Sequence, residues 1–156
     1  MNAEFFDQIF LDVLSARAAA NPRLRQNHNL HPDFEAPAQR FFNAIEPGSY
    51  VLPHRHLAPG KEETLLMIRG SLGLAFFNDA GEIQGTRLLT ANGACMGTQI
   101  PLGSWHSVVA LEAGTVFFEV KDGPYLPIAP EERAPWAPAE GSAAAAEFEQ
   151  TLRARF

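Results

Sequence analysis

The chain is short of several things, and each shortage removes a class of protein. It has one cysteine, Cys95, so no internal disulfide can form and nothing points to an oxidising compartment. It has no run of lysines or arginines and carries a formal charge of -6, which argues against tracking a phosphate backbone, a task that needs clustered cations. No stretch approaches the roughly 18 apolar residues of a membrane-spanning helix, and Met1 to Phe10 lack a basic lead followed by an apolar run. The expectation is a cytoplasmic protein that binds neither nucleic acid nor membrane. With 46% hydrophobic and 19% charged residues over 156 positions, the composition suits one folded domain with one core.

The apolar residues change period along the chain. Over residues 3–19, Phe5, Phe6, Ile9, Phe10, Val13 and Leu14 recur at helical spacing, with Asn2 as the expected N-cap and Asn21-Pro22 as the stop. The middle switches to short runs of strand type. These are Gln39 to Ile45, Ser49 to His56, Glu63 to Arg69, Leu72 to Phe77, Thr86 to Leu89, Ala94 to Gln99, Trp105 to Leu111 and Thr115 to Lys121. Pro47-Gly48, Pro59-Gly60, Gly70, Asn92-Gly93, Gly103 and Gly114 separate them. Eight short strands without intervening helices predict an all-β jelly roll with flanking helices, a closed β-barrel. Prolines 124, 127, 130, 135 and 138 then predict an extended strap, and Ser142 caps a helix over Ala143 to Arg155 with Phe148, Leu152 and Phe156 on one stripe. The expected organisation is a lead-in over residues 1–30, a barrel over 31–124, and a strap with a terminal helix over 125–156.

Within Ser49 to His56, strand alternation puts Tyr50, Leu52, His54 and His56 on one face. Two residues of strand span about 6.7 Å, a gap two imidazoles can close onto one ion with bonds near 2.1 Å. Glu63 shares a face with Leu65 and Met67, where an unpartnered carboxylate would be costly to bury. His106 likewise heads the face that carries Val108 and Ala110. Three imidazoles and a carboxylate from three strands make a site for one divalent transition metal, Fe, Mn, Ni, Co, Cu or Zn, with positions left for substrate. Other polar residues divide by role. Tyr50 and Arg40 are the candidates for contact with substrate, Tyr50 as a proton donor and Arg40 as a partner for a carboxylate or phosphate. Arg55 reads as a surface ion pair, Lys61 as a candidate anion clamp, and Asn27, His28 and His31 as a polar cluster that caps loops. Cys95 reads as a small buried residue, and Trp105 and Trp136 as packing.

The order Gly48, His54-Arg55-His56, Glu63, Gly70 resembles the first cupin motif, and Pro101-x-Gly103-x-x-His106 resembles the second. The gap from His56 to Glu63 is longer than in the usual pattern, which leaves Glu62 as a competing ligand; the spacing to Gly70 favours Glu63. The wider chain is similar to WbuC-type cupin-fold metalloproteins through Arg23-x-Arg25-x-Asn27-His28-Asn29-Leu30-His31, Pro53-His54-Arg55-His56, Trp105-His106-Ser107, Lys121-x-Gly123-Pro124-Tyr125 and Trp136-Ala137-Pro138. The resemblance implies a bacterial metallocupin of the kind encoded among surface-polysaccharide genes. It leaves three functions open: a metal-dependent isomerase or epimerase on a sugar or nucleotide sugar, an Fe(II)-dependent dioxygenase, or a non-catalytic metal-binding or ligand-sensing module. A homodimer is expected, through the Phe-rich N-terminal helix or the Phe148, Leu152, Phe156 stripe.

Overall fold

The computed structural model describes residues 3–156. Eight strands form two antiparallel sheets. In chain order they are β1 (Arg25–Asn29), β2 (Ala38–Ile45), β3 (Glu63–Arg69), β4 (Ser71–Phe77), β5 (Ile83–Thr90), β6 (Gly97–Ile100), β7 (Trp105–Ala110) and β8 (Thr115–Asp122). One sheet has the order β1-β2-β8-β3-β6 and the other β5-β4-β7, and the two face each other as a jelly roll. Helix α1 (Gln8–Ala20) lies on the outside of the larger sheet, and α2 (Ala143–Arg153) on the outside of the smaller one.

Alternation builds the layers. Along β3 the side chains go in and out in turn: Glu63, Leu65 and Met67 are buried, while Thr64, Leu66 and Ile68 are exposed. Inward residues of both sheets, among them Ile45, Leu65, Met67, Leu72, Leu74, Leu89, Val108 and Phe117, make the central core. A second core of Leu11, Leu14, Ala18, Phe42, Ala44 and Val116 seats α1, and a third of Ala75, Phe77, Trp105, Val109, Ala134 and Leu152 seats α2 and the strap.

Several elements depart from the sequence expectation. Helix α1 starts at Gln8, capped by the Asp7 carboxylate, which accepts from the Phe10 N–H at 2.9 Å; Asn2, the expected cap, lies outside the described residues. The buried stripe of α1 is Leu11, Leu14 and Ala18, whereas Ile9 and Val13 face outward. Residues 49–56 are not a regular strand. They touch β7 through one reciprocal pair, His54 N–H to His106 O at 3.0 Å and His106 N–H to His54 O at 2.9 Å.

Strand β1 was not expected at all. Its sequence, Arg-Gln-Asn-His-Asn, has no apolar alternation, and only pairing with β2, from Arg25 opposite Ile45 to Asn29 opposite Phe41, makes it a strand. The sheet therefore begins at Arg25, ahead of the expected barrel start at residue 31. The Ser142 cap of α2 forms as expected, its hydroxyl accepting from the Ala145 N–H at 3.1 Å. Phe156 then lies on Gly73, where a β-carbon would collide with its ring.

Candidate metal centre

Three side chains converge in one cavity of the barrel. His54 comes from the irregular segment bridged to β7, His106 from the second residue of β7, and Glu63 from the first residue of β3. A ligand atom from each lies within 4.8 Å of one from both others. Glu62, the competing carboxylate, is not in this group.

The hydrogen bonds fix which atoms face inward. His54 Nδ1–H donates to the Leu52 carbonyl at 2.9 Å, and His106 Nδ1–H donates to the Ser104 carbonyl at 2.9 Å. Each imidazole has thus committed its one neutral-state proton to the backbone, and each Nε2 turns a lone pair toward the centre. His106 Nε2 sits 3.0 Å from Glu63 Oε2. Two electron-rich atoms at that distance need a proton or a cation to balance them. Neighbouring donors on an octahedral ion with bonds of about 2.1 Å lie roughly 3.0 Å apart, so the residues present fit a bound divalent metal.

The remaining expected ligand, His56, is placed differently. Its Nε2 contacts the other carboxylate oxygen, Glu63 Oε1, at 2.9 Å, and it lies outside the mutual group of three. Lys121 also donates to Oε1, at 2.8 Å. Glu63 therefore divides its oxygens, one toward His106 and one held by His56 and Lys121. Such partners orient a ligating carboxylate and tune it.

Burial and charge set the protonation states. Burial, with His106 beside it, lowers the His54 pKa to about 3, so that its ring stays neutral and its lone pair is available. For Glu63, burial alone would push the pKa up, but its contacts with His106 and His56 and the Lys121 charge hold it well below the ordinary carboxylate value. Next to it, Lys121 also salt-bridges Glu119 at 3.2 Å. Burial works against the ammonium, yet Glu119 and Glu63 raise its pKa overall. Burial and the neighbouring Glu63 raise Glu119 to about 8, and its Oε2 accepts from Asn43 Nδ2 at 2.7 Å.

Glu119, Lys121 and Asn43 were missed in the sequence. Their signal was present as Phe117-x-Glu119-x-Lys121, two opposite charges on the inward face of an otherwise apolar strand, the same spacing that drew attention to His54 and His56. All three line a cavity of about 600 Å³ together with His54, Glu63 and His106. That volume suits a small organic ligand.

The other singled-out residues lie elsewhere. Tyr50 is turned away from the cavity: its hydroxyl donates to the Pro138 carbonyl at 2.7 Å, its ring meets Phe148, and burial with the Glu140 charge raises its pKa to about 12. Arg40 is exposed on the outer side of β2, opposite in parity to the inward Gln39 and Phe41. Residues 49–56 are too irregular for strand parity to hold, which is why Tyr50 does not follow His54. Arg55 sits 4.2 Å over the Trp105 ring and 3.6 Å from Asp79, and the buried Lys61 ammonium donates to the backbone carbonyls of Asp122 and Pro124.

Solved structures share this fold at low identity. KdgF from Halomonas sp. superposes with a TM-score of 0.51 at 16% identity, over 65% of this chain and 82% of its own. The conserved SPY1581 protein of unknown function from Streptococcus pyogenes gives 0.53 at 12%, over 81% and 92%. A cupin-2 domain-containing protein from Shewanella frigidimarina NCIMB 400 gives 0.48 at 17%, over 63% and 80%. No curated protein matches the chain. No helix among the described residues is long and apolar enough to cross a membrane. The architecture is a jelly roll with flanking helices, and because residues 6–89, which include His54, His56 and Glu63, match the domain of unknown function DUF6016, the chain belongs to that family.

Proposed function

We propose that the protein is a metal-dependent cupin enzyme acting on a small polar metabolite, a sugar or nucleotide sugar, by isomerisation or epimerisation. The observation that carries this reading is one cavity holding both a candidate ligand trio, His54, Glu63 and His106, and beside it an acid–base pair, Glu119 and Lys121, joined to the trio through the Lys121–Glu63 contact. A bound divalent ion would supply Lewis-acid polarisation of a carbonyl or hydroxyl oxygen. The chain's own residues do the rest. Glu119 lines the cavity and takes or returns a proton at its carboxyl oxygens, while Asn43 holds Oε2 and Lys121 holds Oε1. Lys121 also balances the negative charge that Glu63 carries beside Glu119.

The resemblance to WbuC-type proteins supports a role in surface-polysaccharide metabolism, in the cytoplasm. A homodimer belongs to the same proposal. The Phe148, Leu152 stripe is used within the chain against the smaller sheet, which leaves the exposed Phe5, Ile9 and Val13 as the self-association face.

Metal analysis of protein purified without added metal, followed by incubation of the loaded protein with candidate sugars in heavy water, tests the reading. Stoichiometric metal and deuterium entering a sugar C–H position are expected. No metal, or no exchange across a broad panel, overturns it. Oxygen uptake with iron bound would instead move the assignment to a dioxygenase.

A further inference from the structure

The cavity has a part that the ligand trio does not use. In β1 the odd residues Asn27 and Asn29 line it, whereas His28 between them turns to Glu4 and the Phe10 ring. Two loops meet over the mouth, where the Tyr125 N–H donates to the Phe34 carbonyl at 2.6 Å. The rings of Phe34 and Tyr125 lie 4.9 Å apart between centroids, and both line the cavity while remaining 57% and 44% exposed. Beneath them is His31, only 8% exposed. Its Nδ1 lies 3.1 Å from both the N–H and the carbonyl oxygen of Arg40, and its Nε2 is buried without a partner.

Charge narrows the chemistry this wall would accept. Among the described residues, each lysine or arginine on the cavity wall is already paired: Arg23 and Arg25 with Glu140, and Lys121 with Glu63 and Glu119. A phosphate or carboxylate would meet no free lysine or arginine there, in a chain of formal charge -6. What the mouth does offer is amides that both donate and accept and two aromatic faces, with the unpaired His31 Nε2 buried just beneath them. Hydroxyl groups match the amides, since each hydroxyl also donates and accepts, and the C–H face of a ring matches the aromatics.

From this we infer that the mouth formed by Asn27, Asn29, His31, Phe34 and Tyr125 is a binding subsite for an uncharged, polyhydroxylated ring. The inference rests on the proposed reading only for placing substrate in this cavity; the subsite lies outside the ligand trio, and its class is argued from its own residues.

Saturation-transfer NMR on the full-length, metal-loaded protein provides the test. The probes are methyl α-glycosides of glucose, galactose, mannose and rhamnose, alongside glucose 6-phosphate and glucuronate. At least one neutral glycoside is expected to bind, and Phe34→Ala and Asn29→Ala are each expected to weaken it tenfold or more with metal content unchanged. Both side chains are exposed, so neither change threatens the fold. Binding of the charged probes alone, binding of none, or neutral binding untouched by both substitutions overturns the inference. If the protein proves to hold no metal but still binds a neutral glycoside through Phe34 and Asn29, the metal-enzyme reading fails and the subsite stands.

Discussion

The two halves of the barrel interior are built from the same strands and differ in chemistry. Toward the cavity, the inward positions are Glu63 of β3, His106 of β7, Glu119 and Lys121 of β8 and Asn43 of β2. Further along the same faces come Leu65, Val108, Phe117 and Ile45, which floor the cavity, and Met67 and Ala110 behind them, which together close the other half as core. The alternation is identical in both halves; only the side chains change. The apolar half gives the strands their register and burial, and that rigidity lets the polar half hold three ligating groups within 4.8 Å. Neither half would serve alone. A wholly apolar barrel would bind no ion, and a wholly polar one would lack the burial that fixes its strands.

This division can be broken from either side. The largest expected effect comes from His106→Ala, which removes a ligand of the trio: metal retention should be lost beyond the roughly 10–100-fold expected for residues that merely orient ligands, with far-UV circular dichroism preserved. Elemental analysis after dialysis checks this, and metal retained at one equivalent would remove His106 from the site. Leu74→Ala, at a position with 0% exposure in the apolar half, should cost about 2–5 kcal/mol in chemical denaturation while leaving metal stoichiometry unchanged. If it strips the metal as thoroughly as His106→Ala, the two halves are not separable. His56→Ala should weaken metal binding by about 10–100-fold, less than His106→Ala, because His56 holds Glu63 from behind; competition with a chelator measures the difference.

The remaining effect is a slope with pH. In the metal-free protein, the His54 pKa near 3 lies below the ordinary value of 6.5, so the unfolded chain takes up a proton that the folded chain refuses. The stability tied to neutral His54 is full above pH 6.5 and is lost as the pH falls toward 3, at no more than about 1.4 kcal/mol per unit for one proton. Urea titrations of the wild type against His54→Gln should show the difference, with the variant flatter across that window. Equal slopes would mean that His54 is not the buried neutral group.

Strands β3 and β7 were legible in the sequence because alternation is local: a run such as Glu-Thr-Leu-Leu-Met-Ile-Arg declares its buried face without reference to any partner. His54, Glu63 and His106 were legible for the same reason, as polar residues on faces otherwise apolar. Tyr50 was misplaced because its segment obeys the parity rule only at the single bridge with His106. β1 was invisible because its strand state comes from pairing with β2, whose residues lie beyond an intervening loop. The grouping of Glu119 and Lys121 with Glu63 depends on the register between β8 and β3, where Leu65 pairs with Glu119.

The sequence by itself determined the class of fold and the types of side chain that the cavity end of the barrel presents, since both follow from period, turn residues and the cost of burying charge. The tertiary structure alone decided which of those side chains meet. It brought Lys121 and His56 to one oxygen of Glu63, sent Tyr50 and Arg40 elsewhere, and set Phe34 beside Tyr125 over His31. The reason is physical: such meetings are fixed by cross-strand register and loop contacts between residues far apart in the chain, which local spacing does not carry.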